Sequence, residues 1–213
     1  MTESLNLSNV PNVDDIKNMI TLLRCFGAKI RKNKKQLIIN CKNLKNVSAD
    51  YDIVRKMRAS ILILGPLLSR FGNAKISLPG GCAIGTRPVD LHLFALKKLG
   101  AETFLKNGFL RATLPQGKFT GNEIKFPKVS VGATECAIMA AALAIGKTKI
   151  YNAAKEPEII DLGNCLNLAG ANIKGLGTDI VEIDGVLKLN PVTYSVIPDR
   201  IEAGSFAIIA GIT

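Results

Sequence analysis

The sequence predicts an α/β domain in which three copies of a strand-helix-hairpin unit are arranged around buried helices. Three observations predict it. Gly-Ala pairs recur at Gly27, Gly100 and Gly170, a period of about 70 residues that exceeds the usual solenoid repeats and favours a closed arrangement over an open array. Each pair closes a segment with apolar residues at helical spacing and opens a stretch of alternating polarity with a turn signal in its middle. Between copies lie apolar segments rich in small residues, Val54 to Phe71, Ala133 to Gly146 and Ile201 to Ile212. Ala and Gly on nearly every face mark helices enclosed on all sides.

The first copy opens with a strand at Leu5 to Leu7, passes Pro11 and the acids Asp14 and Asp15, and enters a helix ending in Leu22-Leu23-x-x-Phe26-Gly27. A hairpin from Lys29 to Asn40 follows. The second copy runs from Ile76 to Leu78, through Pro88 and Asp90, to a helix ending in Leu96-x-x-Leu99-Gly100 and a hairpin from Glu102 to Leu114. The third opens at Ile150 to Asn152, passes Pro157, Glu158 and Asp161, and ends its helix in Leu166-x-x-Ala169-Gly170 before a hairpin from Asn172 to Ile183. Acids at each helix start suit the positive end of the helix dipole, and Gly just past each end is a C-cap. Measured against its own repeat, the chain is expected to be cut at both ends.

Composition narrows the function classes. The 213 residues are 47% hydrophobic and 21% charged, an ordinary globular balance that excludes general disorder. A net charge of +11 favours anionic partners: phosphorylated small molecules, anionic lipid or nucleic acid. With no Trp and 5% aromatic residues there is little stacking platform for single strands, and no basic run, so no nucleic-acid partner is expected. No apolar stretch is long enough to span a bilayer, so no membrane partner is expected either. Cys25, Cys41, Cys82, Cys136 and Cys165 are odd in number and lack a Cys-x-x-Cys pair, which predicts no disulfide framework, no metal site and a reducing compartment. The acidic start carries no signal core, and a cytoplasmic location is expected.

The repeat supplies an internal control. What all copies share is architectural, and what one copy adds is a functional candidate. Only the second copy inserts a loop between strand and proline: Pro79-Gly80-Gly81-Cys82-Ala83-Ile84-Gly85-Thr86-Arg87-Pro88. Cys82 and Arg87 have no counterparts in the other copies, whereas Asp90 shares its place with helix-start acids in both. A thiol beside an arginine and a helix N-terminus is in an electropositive setting that makes it functional, as a proton donor or a nucleophile. His92, the sole histidine, lies four residues after Pro88 and faces either way. The other four cysteines are expected in the core. Arg58 precedes one buried helix, where a fork-like guanidinium suits phosphate or carboxylate as well as it suits solvent. Lys128-Val129-Ser130-Val131-Gly132 precedes the next, joining a cation, a hydroxyl and free helix N–H groups.

The loop through Asp90, Leu91 and His92 resembles the active-site loop of the bacterial UDP-N-acetylglucosamine enolpyruvyltransferases (1-carboxyvinyltransferases). The resemblance extends through Met57-Arg58-Ala59-Ser60, Leu64-Gly65-Pro66-Leu67, Lys128 to Thr134, Glu156-Pro157-Glu158-Ile159 and Pro198 to Gly204. It implies an inside-out α/β barrel and transfer of enolpyruvyl from phosphoenolpyruvate to the 3′-hydroxyl of UDP-N-acetylglucosamine, with phosphate released and no cofactor. It also implies Cys82 as the loop acid that protonates the phosphoenolpyruvate methylene and can form a covalent adduct. Arg87 would engage substrate phosphate or carboxylate. Arg58, the stretch Arg87, Pro88, Val89, Asp90 and Leu91, and the stretch Lys128, Val129, Ser130 and Val131 would hold the nucleotide sugar. The family also has an earlier segment with a lysine and an asparagine, which this chain is expected to lack, and a second domain with an aspartate base and further arginines; the resemblance implies one domain at residues 1–196 and only the beginning of the second at 197–213, so the isolated chain is expected to be impaired. Alternatives are a non-catalytic nucleotide-sugar-binding remnant or half of a split enzyme awaiting a partner chain. The related shikimate-pathway transferase lacks the Gly-Gly-Cys loop.

Overall fold

The computed structural model describes residues 4–45, 48–49, 51–78 and 89–213. The first copy comprises β1 (Leu5–Ser8), α1 (Asp14–Cys25), β2 (Lys29–Asn33) and β3 (Gln36–Asn40). A short strand β4 (Ser48–Ala49) and a short helix α2 (Tyr51–Val54) lead through a 3₁₀ turn, Arg58–Ile63, into α3 (Leu64–Phe71). The second copy is β5 (Asn73–Ser77), α4 (Asp90–Lys98), β6 (Glu102–Lys106) and β7 (Phe109–Thr113). Then come β8 (Glu123–Lys125) and α5 (Val131–Ala141). The third copy is β9 (Lys147–Tyr151), α6 (Pro157–Leu168), β10 (Asn172–Lys174) and β11 (Ile180–Asp184), followed by β12 (Val192–Ser195) and α7 (Arg200–Ile212).

The repeat holds closely. Gly27, Gly100 and Gly170 adopt φ of 97°, 97° and 100°, the left-handed conformation that lets the chain reverse after a helix without a Cβ clash. Asp14, Asp90 and Glu158 each fall in a helix's first turn. Strand-to-helix links cover residues 9–13 and 152–156 in the outer copies but 78–89 in the middle one. The insertion is therefore confined to a single link. The opening strands of the second and third copies begin earlier than their apolar residues suggest, at Asn73 and Lys147.

Each sheet has a fourth strand that the repeat does not announce. The orders are β12-β1-β3-β2, β4-β5-β7-β6 and β8-β9-β11-β10, with β12, β4 and β8 parallel to the opening strands they flank. For β4 and β8 the parallel pairing is made by the crossover through a buried helix. For the first sheet the partner comes from the far end of the domain, with Leu5 opposite Val192 and Ser8 opposite Ser195. Residues 192–195 thus close the ring of units.

The sheets turn one face inward and the other to solvent. Ile30, Leu37, Ile39, Leu110, Ala112, Ile150, Val181 and Ile183 are buried, while the outward positions carry pairs such as Lys149–Glu182 at 2.8 Å. At the centre, α5 buries Ala133, Thr134, Cys136, Ala137, Ile138, Ala140 and Ala141. Its small residues allow α3 to come close: a Cβ added at Gly65 would lie 3.3 Å from the Cys136 carbonyl oxygen and 3.5 Å from the Ala140 Cβ. Helices inside and sheets outside form an inside-out α/β barrel. A smaller apolar cluster, Val10, Ile20, Ala28, Ile30, Leu37, Ile39 and Cys41, fills the space between α1 and the first sheet.

Three expectations are corrected. The segment Val54 to Phe71 is not one helix: α2 stops at Val54, the Ser60 hydroxyl donates to the Val54 and Met57 carbonyls at 3.0 and 2.6 Å, and a new α-helix starts at Leu64. Pro66 explains the restart, because without an N–H it fits only a helix's first turn. The helix at 201–212 forms but buries no residue, since no element among the described residues covers it. It is attached at its base, where the Arg200 Nε donates to both Glu158 carboxylate oxygens at 3.0 and 3.3 Å. Of the four cysteines assigned to the core, Cys41 and Cys136 are buried and Cys165 is partly buried, but Cys25, the last residue of α1, is exposed. Among the described residues no helix is long and apolar enough to cross a membrane.

Candidate functional site

The starts of α4 and α5 and the 3₁₀ turn converge on a cleft of about 600 Å³. Arg58 enters it from the turn, Asp90 and Leu91 from α4, and Lys128, Val129, Ser130 and Val131 from the approach to α5. Segments 30 to 70 residues apart in sequence thus meet in one place. Val89, the residue before α4, packs against the main core instead of lining the cleft. Cys82, Arg87 and Pro88 lie outside the described residues; the described chain resumes at Val89, one residue before the cleft-lining Asp90.

Local chemistry fixes the start of α5. Ser130 has extended backbone, φ −149° and ψ 119°, and its Oγ accepts from the Ala133 amide at 3.4 Å. The Thr134 hydroxyl donates to the Ser130 carbonyl at 2.8 Å and accepts from the buried Ala154 amide at 3.1 Å, tying the first turn to the link after β9. The amides of Val131 and Gly132, in that first turn, have no intrahelical acceptor and carry the positive end of the helix dipole. With Lys128 beside them and Arg58 across the cleft, they are arranged to hold an anion. Among the described residues no acidic side chain lies within ion-pair distance of either cation. Asp90 lines the cleft and also occupies the first turn of α4.

His92 faces inward. It is 7% exposed, its Nδ1 is sealed without a hydrogen-bond partner among the described residues, and its ring lies against Gly132, where an added Cβ would stand 2.9 Å from Nε2. A side chain at position 132 would displace this ring. Burial, and then the nearby Arg58 charge, push the imidazole from its ordinary 6.5 down to about 4, against a smaller opposing pull from Asp90. His92 is therefore neutral at pH 7. Because the unfolded chain binds this proton more readily than the folded one, stability falls as pH drops from about 6.5 to 4, by roughly 3 kcal/mol for this group. Melting temperature is expected to decline over that interval by about 10 °C more in the wild type than in His92→Gln, measured by calorimetry across the pH series.

Glu135 also lines the cleft and is absent from the set of residues that sequence motifs single out. Burial and then the charge of Glu158 hold its carboxyl above the usual range. Its signal was its position: four residues after Val131, it shares a helix face with the start of α5.

The fold and the cleft together define an α/β domain of threefold internal repetition whose cleft gathers two cations and the free amides of a helix start. Residues 1–213 match the sequence profile of the family described as EPSP synthase (3-phosphoshikimate 1-carboxyvinyltransferase), and the chain belongs to that family. It is 51% identical over 217 residues to a UDP-N-acetylglucosamine 1-carboxyvinyltransferase of Rickettsia bellii, covering 100% of this chain and 52% of that protein. A protein of the same name from Coxiella burnetii is 51% identical over 212 residues, covering 99% of this chain and 49% of the relative. The chain thus spans about half the length of the curated relatives it matches. Among solved structures, the enolpyruvyl transferase NikO from Streptomyces tendae superposes with a TM-score of 0.83 at 21% identity, over 96% of this chain and 48% of the other. EPSP synthase from Acinetobacter baumannii gives 0.74 at 20% identity, over 96% and 46%. These two show the fold.

Proposed function

We propose that the cleft holds UDP-N-acetylglucosamine by its diphosphate and that the chain carries this part of a UDP-N-acetylglucosamine 1-carboxyvinyltransferase. The reaction moves enolpyruvyl from phosphoenolpyruvate to the 3′-hydroxyl and releases phosphate; it takes place in the cytoplasm and is the first committed step of the peptidoglycan synthesis that feeds cell-wall growth. The observation that carries the reading is the convergence of Arg58, Lys128 and the free amides of α5 on one cleft. The names of the relatives at 51% identity support this choice of ligand.

Roles follow from chemistry. Lys128, Ser130 and the Val131 amide take phosphate oxygens, and Arg58 offers a fork to phosphate or carboxylate. Leu91 and Val129 give the ligand an apolar edge. Arg87 and Pro88, just ahead of α4, complete the nucleotide's surroundings, with Arg87 engaging phosphate or carboxylate. Cys82 delivers a proton to the methylene carbon of phosphoenolpyruvate, C2 becomes electrophilic, and the 3′-oxygen adds to it as the hydroxyl proton passes to a carboxylate base of the kind the family carries on its second domain. Phosphate then leaves from C2 with the bridging oxygen and takes that proton, while a methyl proton returns to the Cys82 thiolate and restores the vinyl group. Residues 1–196 form the domain that presents this machinery, and 197–213 are the beginning of a second.

The test is phosphate release by the purified chain given both substrates, beside a binding titration with UDP-N-acetylglucosamine. Binding without release is expected, because orientation and water exclusion by a second cleft wall supply much of such an enzyme's rate. Release that disappears in Cys82→Ser would show that these 213 residues suffice. Failure to bind the nucleotide sugar would overturn the proposal.

A further inference from the structure

Glu135 opposes the rest of the cleft. Lys128, Arg58 and the α5 amides attract anions, while a carboxylate among them repels a phosphate. Asp90 has a structural reason for its place in the first turn of α4. Glu135 has none: it lies beyond the first turn of α5, in a helix whose neighbouring Thr134 and Cys136 are fully buried. Among the described residues it makes no hydrogen bond and no ion pair. The nearby acid, Glu158, is already engaged by Arg200. A half-buried carboxyl without a donor is unfavourable unless a ligand brings one.

Geometry says which part of a ligand would do so. Glu135 stands one helical turn, about 5 Å, past Val131, on the same face and lining the same cleft. A phosphate seated on the Val131 and Gly132 amides places whatever is attached to it within reach of this carboxyl. We propose that Glu135 is a specificity residue that accepts a hydrogen bond from a hydroxyl or amide N–H on the sugar of the bound nucleotide sugar, selecting it over the bare nucleotide. This inference rests on the nucleotide-sugar reading of the cleft. Selection has two components: the sugar supplies the missing donor, and a bare diphosphate, with its extra terminal charge, is repelled. The raised affinity of the Glu135 carboxyl for a proton fits a group that lacks donors until the ligand arrives.

The test is a calorimetric comparison of UDP-N-acetylglucosamine with UDP on the wild type, Glu135→Ala and Glu135→Gln. The wild type is expected to prefer the sugar nucleotide. Glu135→Ala is expected to reduce that preference about 10-fold or more, through weaker binding of the sugar nucleotide and tighter binding of UDP. Glu135→Gln, which keeps an acceptor oxygen, is expected to retain an intermediate preference. A preference unchanged in Glu135→Ala, even with both affinities shifted together, would reduce Glu135 to a background charge and overturn the proposal. A wild type that binds UDP-N-acetylglucosamine no better than background would overturn the nucleotide-sugar reading itself, an outcome distinct from a wild type that binds normally and ignores the substitution.

Discussion

Lys128→Ala is expected to weaken binding of UDP-N-acetylglucosamine about 10- to 100-fold, the loss of one charge-assisted hydrogen bond to phosphate. Lys128 is exposed and has no ion-pair partner among the described residues, so its removal is expected to leave the melting temperature unchanged while flattening the salt dependence of binding. Arg58→Ala is expected to cost a similar factor. Arg58→Lys restores the charge but not the planar fork, and is expected to recover only part of the affinity. Isothermal titration of the three variants at two salt concentrations checks these outcomes. Normal affinity in both alanine variants would remove the two cations from the site.

The second large effect concerns α7. Phe206, Ile208 and Ile212 are 65%, 67% and 79% exposed on a helix that buries nothing. Large apolar side chains exposed around a helix in this way drive association. The purified chain is expected to self-associate at micromolar to millimolar concentration, and the triple variant Phe206→Ser, Ile208→Ser, Ile212→Ser is expected to remain monomeric. Light scattering after size exclusion distinguishes the two. A monomeric wild type across the same range would show that α7 is shielded in solution.

The repeat was legible because it is written in backbone requirements. A left-handed residue after each helix demands Gly, and Gly27, Gly100 and Gly170 supply it with nearly the same φ. The parallel strands β4 and β8 were not legible, since two or three residues such as Ser48–Ala49 carry no periodicity and are held by their neighbours. Pro66 did carry the break between the 3₁₀ turn and α3, but the apolar run around it masked the signal. Composition placed 201–212 in an interior; whether such a helix is buried depends on a partner surface that the helix's own residues do not encode. At the site, Arg58 and Lys128 were found because each precedes a buried helix, although only folding shows that both face one cleft. Glu135 was overlooked because an acid inside a helix reads as a solvated residue until the helix is known to be surrounded. His92 faced either way until the packing of α4 on α5 turned its ring onto Gly132.

The claim that the α5 N-terminus is the ligand's anchor is tested most directly by following backbone amide resonances during titration of the ¹⁵N-labelled chain with UDP-N-acetylglucosamine. The largest shifts are predicted at Val131, Gly132 and Ala133, with smaller ones at Asp90 and Leu91. Shifts concentrated elsewhere, around Lys32, Lys34 and Lys35, which lie together at the turn between β2 and β3, or in α7, with the start of α5 unmoved, would contradict it.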